Sequence, residues 1–222
     1  MSALRILVAD DHEVVRRGLC VLLKSHAGWE VCGEAADGRE AVDKAKLLKP
    51  DIVILDIGMP NLNGLTAARQ ILRAHPEQKI LILTITDAEQ VVREVLDAGA
   101  RGFVLKSDAA RDLLEAVDAL EHNRTFFTSG VTERILDGYL SPSAEQEPSL
   151  TILSPREREI VQLLAEGRSS KEIASTLDLS VSTVETHRSN IMRKLDIHSI
   201  SELVLYAVRN NIVQVQAGPT MT

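Results

Sequence analysis

Ile52-Val-Ile-Leu-Asp56-Ile-Gly-Met-Pro60-Asn-Leu-Asn-Gly64 decides the architecture of the first part of the chain. Four apolar residues run without alternation into an aspartate, and then into a turn rich in Gly, Pro and Asn. A short run that is apolar on both faces reads as a strand buried on both faces. Such strands belong to parallel sheets covered by helices. The same signature recurs at residues 6–9, 80–83 and 103–105, with a weaker copy at 30–35. Between these runs, residues 14–23, 41–48, 65–72, 91–98 and 113–120 carry apolar side chains at helical spacing. The pattern predicts an α/β doubly wound domain with a five-stranded parallel sheet over residues 1–123.

Further along, residues 125–140 read as helical in part. Ser141-Pro-Ser-Ala-Glu-Gln-Glu-Pro-Ser149 has a linker's composition, so 124–150 is expected to connect two domains. From Thr151 no strand pattern remains. Ser154-Pro155-Arg156-Glu157 is a helix start, with Ser at the N-cap, Pro at the first helical position and Glu closing a capping box. Gly167 can end that helix. Ser169-Ser-Lys-Glu172 opens a second helix to about Leu177, and Asp178-Leu-Ser180 makes a short turn. A third helix is expected over 181–195 and a fourth over 200–209. Two helices joined by a short turn form a helix-turn-helix unit. The expectation is an all-α four-helix domain over 151–215 and a loose tail at 216–222.

Composition narrows the function. The chain has 222 residues, of which 45% are hydrophobic, enough for two cores. No apolar run approaches the roughly 20 residues of a membrane span. After Met1 the chain passes almost directly into Ile6-Leu-Val-Ala9, without a signal peptide, so a cytoplasmic location is expected. Cys20 and Cys32 each sit among apolar residues and read as reduced, buried thiols. The net charge is −7, but from Thr151 onward eight Lys/Arg balance eight Asp/Glu. The whole deficit therefore lies in 1–150, where it suits carboxylates gathered around a cation.

Ligands of open parallel sheets bind at the carboxyl ends of the strands. Here the first strand ends in Asp10-Asp11, the third in Asp56 and the fourth in Thr84, while Lys106 follows the fifth. Carboxylates held close together need a cation, and an all-oxygen set with open positions suits Mg²⁺. Such a set can organise in-line phosphoryl transfer onto a carboxylate oxygen. Lys106 would supply positive charge to the phosphoryl group, and the Thr84 hydroxyl a hydrogen bond. Taken singly, each residue has an ordinary explanation: a turn-forming aspartate, a β-propensity threonine, a solvated lysine. Their conjunction on one rim carries the functional reading.

Residues 4–122 resemble the receiver domain of two-component response regulators, a flavodoxin-like fold. The resemblance rests on Val8-Ala-Asp-Asp11, Asp56-Ile-Gly-Met-Pro60 with Asn63-Gly64, Leu83-Thr84 and Gly102-Phe-Val-Leu-Lys106. It implies that Asp56 accepts a phosphoryl group from a sensor histidine kinase. It also implies Mg²⁺ bound by Asp11 and Asp56, by Asp10 partly through water, and by the Gly58 carbonyl. Thr84 and Phe103 would form a switch pair, in which the threonine moves to the phosphoryl group and the ring follows inward. Phe103 also reads as an ordinary core aromatic. Gly58 offers no side chain to position a hydrolytic water and Ile85 is bulky, so a long-lived phosphoryl group is expected.

In the second domain, Ile173, Ala174, Leu177, Leu179, Val184, Ile191 and Leu195 would pack the unit. That leaves Glu185, Thr186, Arg188, Ser189, Arg193 and Lys194 pointing outward. Residues 151–211 resemble the LuxR-type helix-turn-helix domain through Leu153-Ser-Pro-Arg-Glu157, Glu159, Glu166-Gly167, Lys171-Glu-Ile-Ala174, Leu179-Ser180, Ser182-Thr-Val-Glu-Thr-His-Arg188 and Asn190-Ile-Met-Arg-Lys-Leu195. Together the two resemblances point to the NarL/FixJ family and to a phosphorylation-dependent transcriptional regulator. They imply contact with double-stranded DNA through Lys171, Ser182, Thr183, Glu185, Thr186, Arg188, Ser189, Arg193 and Lys194. They also imply a homodimer paired through Ile200, Leu203, Val204 and Ala207 on inverted half-sites. Two other readings stand beside this one. One is a phosphorylation-independent regulator that uses its receiver for protein contacts. The other is an aspartate-nucleophile phosphatase, which would need a second acid two residues after its nucleophile, where this chain has Gly58. The favoured reading is not a turnover enzyme.

Overall fold

The computed structural model describes residues 3–128 and 152–213. The chain divides into two compact units, Met1–Ala144 and Glu145–Thr222. The expected linker segment 141–149 and the tail 216–222 lie outside the described residues.

In the first unit, strands and helices alternate: β1 (Leu4–Ala9), α1 (Glu13–Lys24), β2 (Trp29–Ala35), α2 (Gly38–Leu48), β3 (Ile52–Asp56), α3 (Gly64–Ala74), β4 (Lys79–Thr84), α4 (Glu89–Asp97), β5 (Gly102–Leu105) and α5 (Ala109–Glu121). The strands are parallel in the order β2-β1-β3-β4-β5, and a sixth, β6 (Phe126–Phe127), continues the sheet beyond β5. Alternation along each strand sorts the core into two layers. Leu7, Ala9, Val53, Leu55, Ile80 and Ile82 pack with α2, α3 and α4. Ile6, Val8, Ile52, Ile54, Leu81 and Leu83 pack with α1 and α5. Both faces are apolar because both are covered.

The sixth strand differs from the five expected, and it falls in the stretch read as a partly helical connector. Two residues are too few to show a period. Phe126 and Phe127 are held by pairing with Gly102 and Phe103, and each ring joins the apolar layer on its own side of the sheet.

The second unit contains α6 (Pro155–Ala165), α7 (Ser170–Leu177), α8 (Val181–Lys194) and α9 (Ile200–Arg209). Local chemistry accounts for the helix starts. Ser154 with Glu157, and Ser169 with Glu172, form complete capping boxes. Ser180 and Ser199 accept hydrogen bonds from the backbone N–H groups of Thr183 and Glu202. Asp178 takes the left-handed conformation at φ 54° and turns the chain between α7 and α8. Ile160, Leu163, Ile173, Val184, Ile191 and Leu203 meet in a single core.

Candidate phosphoacceptor site and DNA-facing helix

Strand register brings the rim together. Ala9 pairs with Leu55, Asp56 with Leu83 and Thr84 with Leu105, so the residues that follow these strands share one edge. Lys106 Nζ lies 2.8 Å from Asp10 Oδ2 and 2.9 Å from Asp56 Oδ2. Asp10 and Asp56 are buried, at 0% and 2% exposure. The second oxygen of Asp56, Oδ1, is buried without a hydrogen-bond partner. Burial pushes the Asp56 carboxyl up from 3.8 to about 6 and Asp10 adds to the shift, while Lys106 opposes both. Burial works against the Lys106 ammonium, but Asp56 and Asp10 outweigh it and raise its pKa.

Two further residues shape this pocket and are not evident in the sequence pattern. The His12 backbone N–H donates to Asp10 Oδ1 at 2.8 Å, and His12 Nδ1 lies 2.7 Å from Asp11 Oδ1. The Arg16 guanidinium donates to the Asp10 carbonyl at 2.7 Å and pairs with Glu34 at 3.3 Å, which fixes the β1–α1 loop. Asp10, Asp11, His12 and Asp56 each place a ligand atom within 4.8 Å of the others. One ammonium does not balance three carboxylates, and Asp56 Oδ1 lacks a partner, so the donor set fits a cation.

Past Asp56, the loop carrying Gly58 closes through Gly64 N–H donating to the Ile57 carbonyl at 3.0 Å. Asn63 caps α3 by accepting the Thr66 N–H. Gly64 is obligatory there, because a Cβ would lie 2.0 Å from the Asp56 carbonyl oxygen. The Thr84 hydroxyl stays within its own loop, donating to the Thr86 carbonyl and accepting the Thr86 N–H. Phe103 is fully buried among Ile82, Val91, Val92 and Val95. The ring is thus already inside while the hydroxyl has not turned to the aspartate. Ile85, beside Thr84, is 67% exposed.

On α8, Val184 and Ile191 face the core. Ser182, Glu185, Thr186, Arg188, Ser189 and Arg193 are exposed, as is Lys171 on α7. Thr183 is half-buried, with its hydroxyl 2.8 Å from Ser180 Oγ. Thr186 donates its hydroxyl to the Ser182 carbonyl, which leaves its lone pairs outward as acceptors. Arg193 donates to Asn190 Oδ1 at 3.0 Å. Lys194 is exposed, as its sequence suggests, and also has a partner within the domain. Its ammonium sits 2.8 Å from the carboxylate of Glu157, a buried residue that also closes the α6 capping box. Lys194 therefore ties the end of α8 to the start of α6, and its charge is engaged within the domain.

Two of the four expected pairing residues on α9 require correction. Leu203 and Ala207 are 0% exposed inside the domain's own core, so they cannot meet a second protomer. Ile200 is exposed and Val204 half-buried, and the most exposed apolar side chain of the helix is Leu205, which was not anticipated. Ser201, Glu202 and Arg209 share one exposed side of the helix with Leu205, so helical spacing places Leu203 and Ala207 on the opposite, inward side.

The family described as the response regulator receiver domain matches residues 6–118. Bacterial regulatory proteins of the luxR family match residues 151–207. The oxygen regulatory protein NreC of Staphylococcus aureus is 39% identical over 216 residues, covering 95% of this chain and all of that one. A solved structure of the RcsB response regulator of Salmonella typhimurium covers 94% of the chain and all of its own length, with 29% identity and a TM-score of 0.58. A complex of RcsB with DNA covers 94% of this chain and 99% of that one, with 28% identity and a TM-score of 0.59. The chain belongs to the NarL/FixJ family of response regulators, phosphorylation-dependent transcriptional regulators that join a receiver domain to a LuxR-type DNA-binding domain.

Proposed function

We propose that Asp56 accepts a phosphoryl group from the phosphohistidine of a sensor kinase and that this controls pairing and DNA binding by the second unit. The supporting observation is the buried Asp56 carboxylate, with one oxygen on Lys106 and the other without a partner. In the transfer, an Asp56 oxygen forms the new P–O bond as the donor's P–N bond breaks, and the departing imidazole takes up a proton. Lys106 moves its charge from the carboxylates to the phosphoryl oxygens. Thr84 leaves Thr86 and donates its hydroxyl to another of those oxygens. Asp11, Asp56 and the Gly58 carbonyl, with Asp10 beside them, would hold a Mg²⁺ ion, which would supply neutralising charge when bound. One phosphoryl group is taken per chain, without turnover. Among the described residues no helix is long and apolar enough to cross a membrane. The reading places the protein in the cytoplasm with its kinase and DNA.

Acetyl phosphate with Mg²⁺ is expected to add one phosphoryl mass to the chain, increase its oligomer size and tighten DNA binding. A natively folded chain that stays unlabelled would overturn the proposal.

On DNA, two protomers are expected to occupy inverted half-sites. Arg193→Ala should weaken binding to all sequences alike, as loss of a phosphate contact does. Thr186→Val or Glu185→Ala should change which sequences are preferred. Binding-site selection with each variant separates the two roles, and a uniform loss from Thr186→Val would refute the base-reading assignment. Pairing through α9 is assigned to Leu205, with Ile200 and Val204. Leu205→Asp should abolish the dimer in sedimentation and weaken DNA binding about tenfold or more while the fold is kept. An unchanged dimer would exclude this face.

A further inference from the structure

The first turn of α6 grips both helices of the helix-turn-helix unit through charged side chains. Arg156 donates to the Leu177 carbonyl at 2.6 Å, at the end of α7, where no later turn of that helix supplies a donor. The same guanidinium is steadied by Glu159, a buried carboxylate 2.9 Å away. The next residue, Glu157, is 5% exposed, and the Lys194 ammonium at the end of α8 lies 2.8 Å from each of its oxygens. Burial works against the Glu157 carboxylate, but hydrogen bonds from Lys194 and Ser154 outweigh it and lower its pKa. Such an ion pair is a poor source of stability, because desolvation offsets most of the attraction. It is directional, however, whereas the apolar contacts of Val184 and Ile191 leave α8 able to tilt on the core.

The 14 residues of α8 make a helix about 21 Å long. A tilt of roughly 10° about one end moves the other by about 3.5 Å, and stacked base pairs lie about 3.4 Å apart. A small rotation therefore carries a side chain from one base pair to the next. We infer that Arg156 and Glu157 are positioning residues for base reading: without touching DNA they fix the tilt of α8, through the end of α7 and through Lys194, and so decide which bases Glu185 and Thr186 meet. Lys194 acts inward, as the far end of this brace, and not as a phosphate contact. The inference rests on reading α8 as the DNA-facing helix and adds to it the residues that aim that helix.

The test uses the full chain, treated with acetyl phosphate and Mg²⁺. Wild type selects a preferred duplex from a randomised library, and affinities for that duplex and for a scrambled one are measured across a salt series. Glu157→Gln, Lys194→Met, Arg156→Met, Lys194→Arg and the combination of Glu157→Gln with Lys194→Met are compared with it, each well below its own melting temperature. The first three should bind the selected duplex about tenfold more weakly and the scrambled duplex no more weakly than wild type. The combined variant should be no worse than either of its single changes, and Lys194→Arg, which keeps the charge, should recover most of the discrimination. On the scrambled duplex, the slope of log affinity against log salt should keep its wild-type value in Lys194→Met. A fall of about one in that slope, with Glu157→Gln unaffected, would make Lys194 a phosphate contact and overturn the inference. Wild-type discrimination in the folded variants, whether or not both affinities fall, would overturn it too, leaving the brace a contribution to stability alone. Absence of any sequence preference in wild type would instead overturn the reading of α8 on which the inference rests.

Discussion

Asp56→Asn is expected to abolish phosphoryl acceptance from acetyl phosphate and, in the metal-free protein, to raise the melting temperature of the first unit. The amide fills the same volume but provides no nucleophilic carboxylate oxygen, so no phosphoryl mass should appear under conditions that label wild type fully. The stability gain follows from burial. In the folded chain the Asp56 carboxyl is pushed from its ordinary 3.8 to about 6 by burial, with Asp10 adding to the effect. Because the folded value is raised, its stabilising effect is fully present below about pH 4 and lost as pH rises through 6. At neutral pH the ionised carboxylate costs the fold up to about 3 kcal/mol, which asparagine avoids. Trp29 is the chain's single tryptophan and lies in the first unit, so its fluorescence follows the unfolding of that unit. With a chelator present, the variant should melt above wild type at neutral pH, and the gap should close on acidification. Added Mg²⁺ should raise the melting temperature of wild type more than that of the variant. Labelling of Asp56→Asn to the wild-type extent would place the acceptor elsewhere.

Gly64→Ala is expected to destabilise the same unit by about 3 kcal/mol or more and to lower the labelling rate about a hundredfold. A Cβ at this position would lie 2.0 Å from the Asp56 carbonyl oxygen and 2.8 Å from its carbonyl carbon. Both are backbone atoms, so no side-chain rotation relieves the clash. The chain must move at Asp56, and the carboxylate moves with it. Gly18→Ala is the control. Gly18 lies in α1 with nothing within 4 Å of its Cβ position, so alanine there should stabilise by about 0.5–1 kcal/mol and leave labelling unchanged. Melting of Gly64→Ala at the wild-type temperature would show that the loop after Asp56 yields more easily than its packing indicates.

Much of the architecture is legible without coordinates, and the reason is local. β3 is apolar at four successive positions because both of its faces are covered, and that leaves a mark in the string itself. The capping boxes at Ser154 and Ser169 join residues three apart, so the helix starts can be read directly. β6 leaves no such mark, because its two residues are held by β5 rather than by their own pattern. By contrast, Leu203 and Leu205 can be sorted from spacing alone: Leu205 shares the side of α9 that carries Ser201, Glu202 and Arg209, and Leu203 the opposite side, which packs into the core.

The sequence by itself determined the doubly wound and helix-turn-helix units and the strand-end residues Asp10, Asp11, Asp56, Thr84 and Lys106. Periodicity and position relative to strand ends are short-range properties. Only the tertiary structure decided how those residues are partnered. Lys106 meets Asp56 across β4, Gly64 lies against the Asp56 carbonyl, and His12 turns its ring to Asp11. Lys194, with the composition of a phosphate contact, is held by Glu157 from 37 positions away. Such partners come together only when the chain has folded, because distance in space is set by sheet register and helix packing rather than by separation along the sequence.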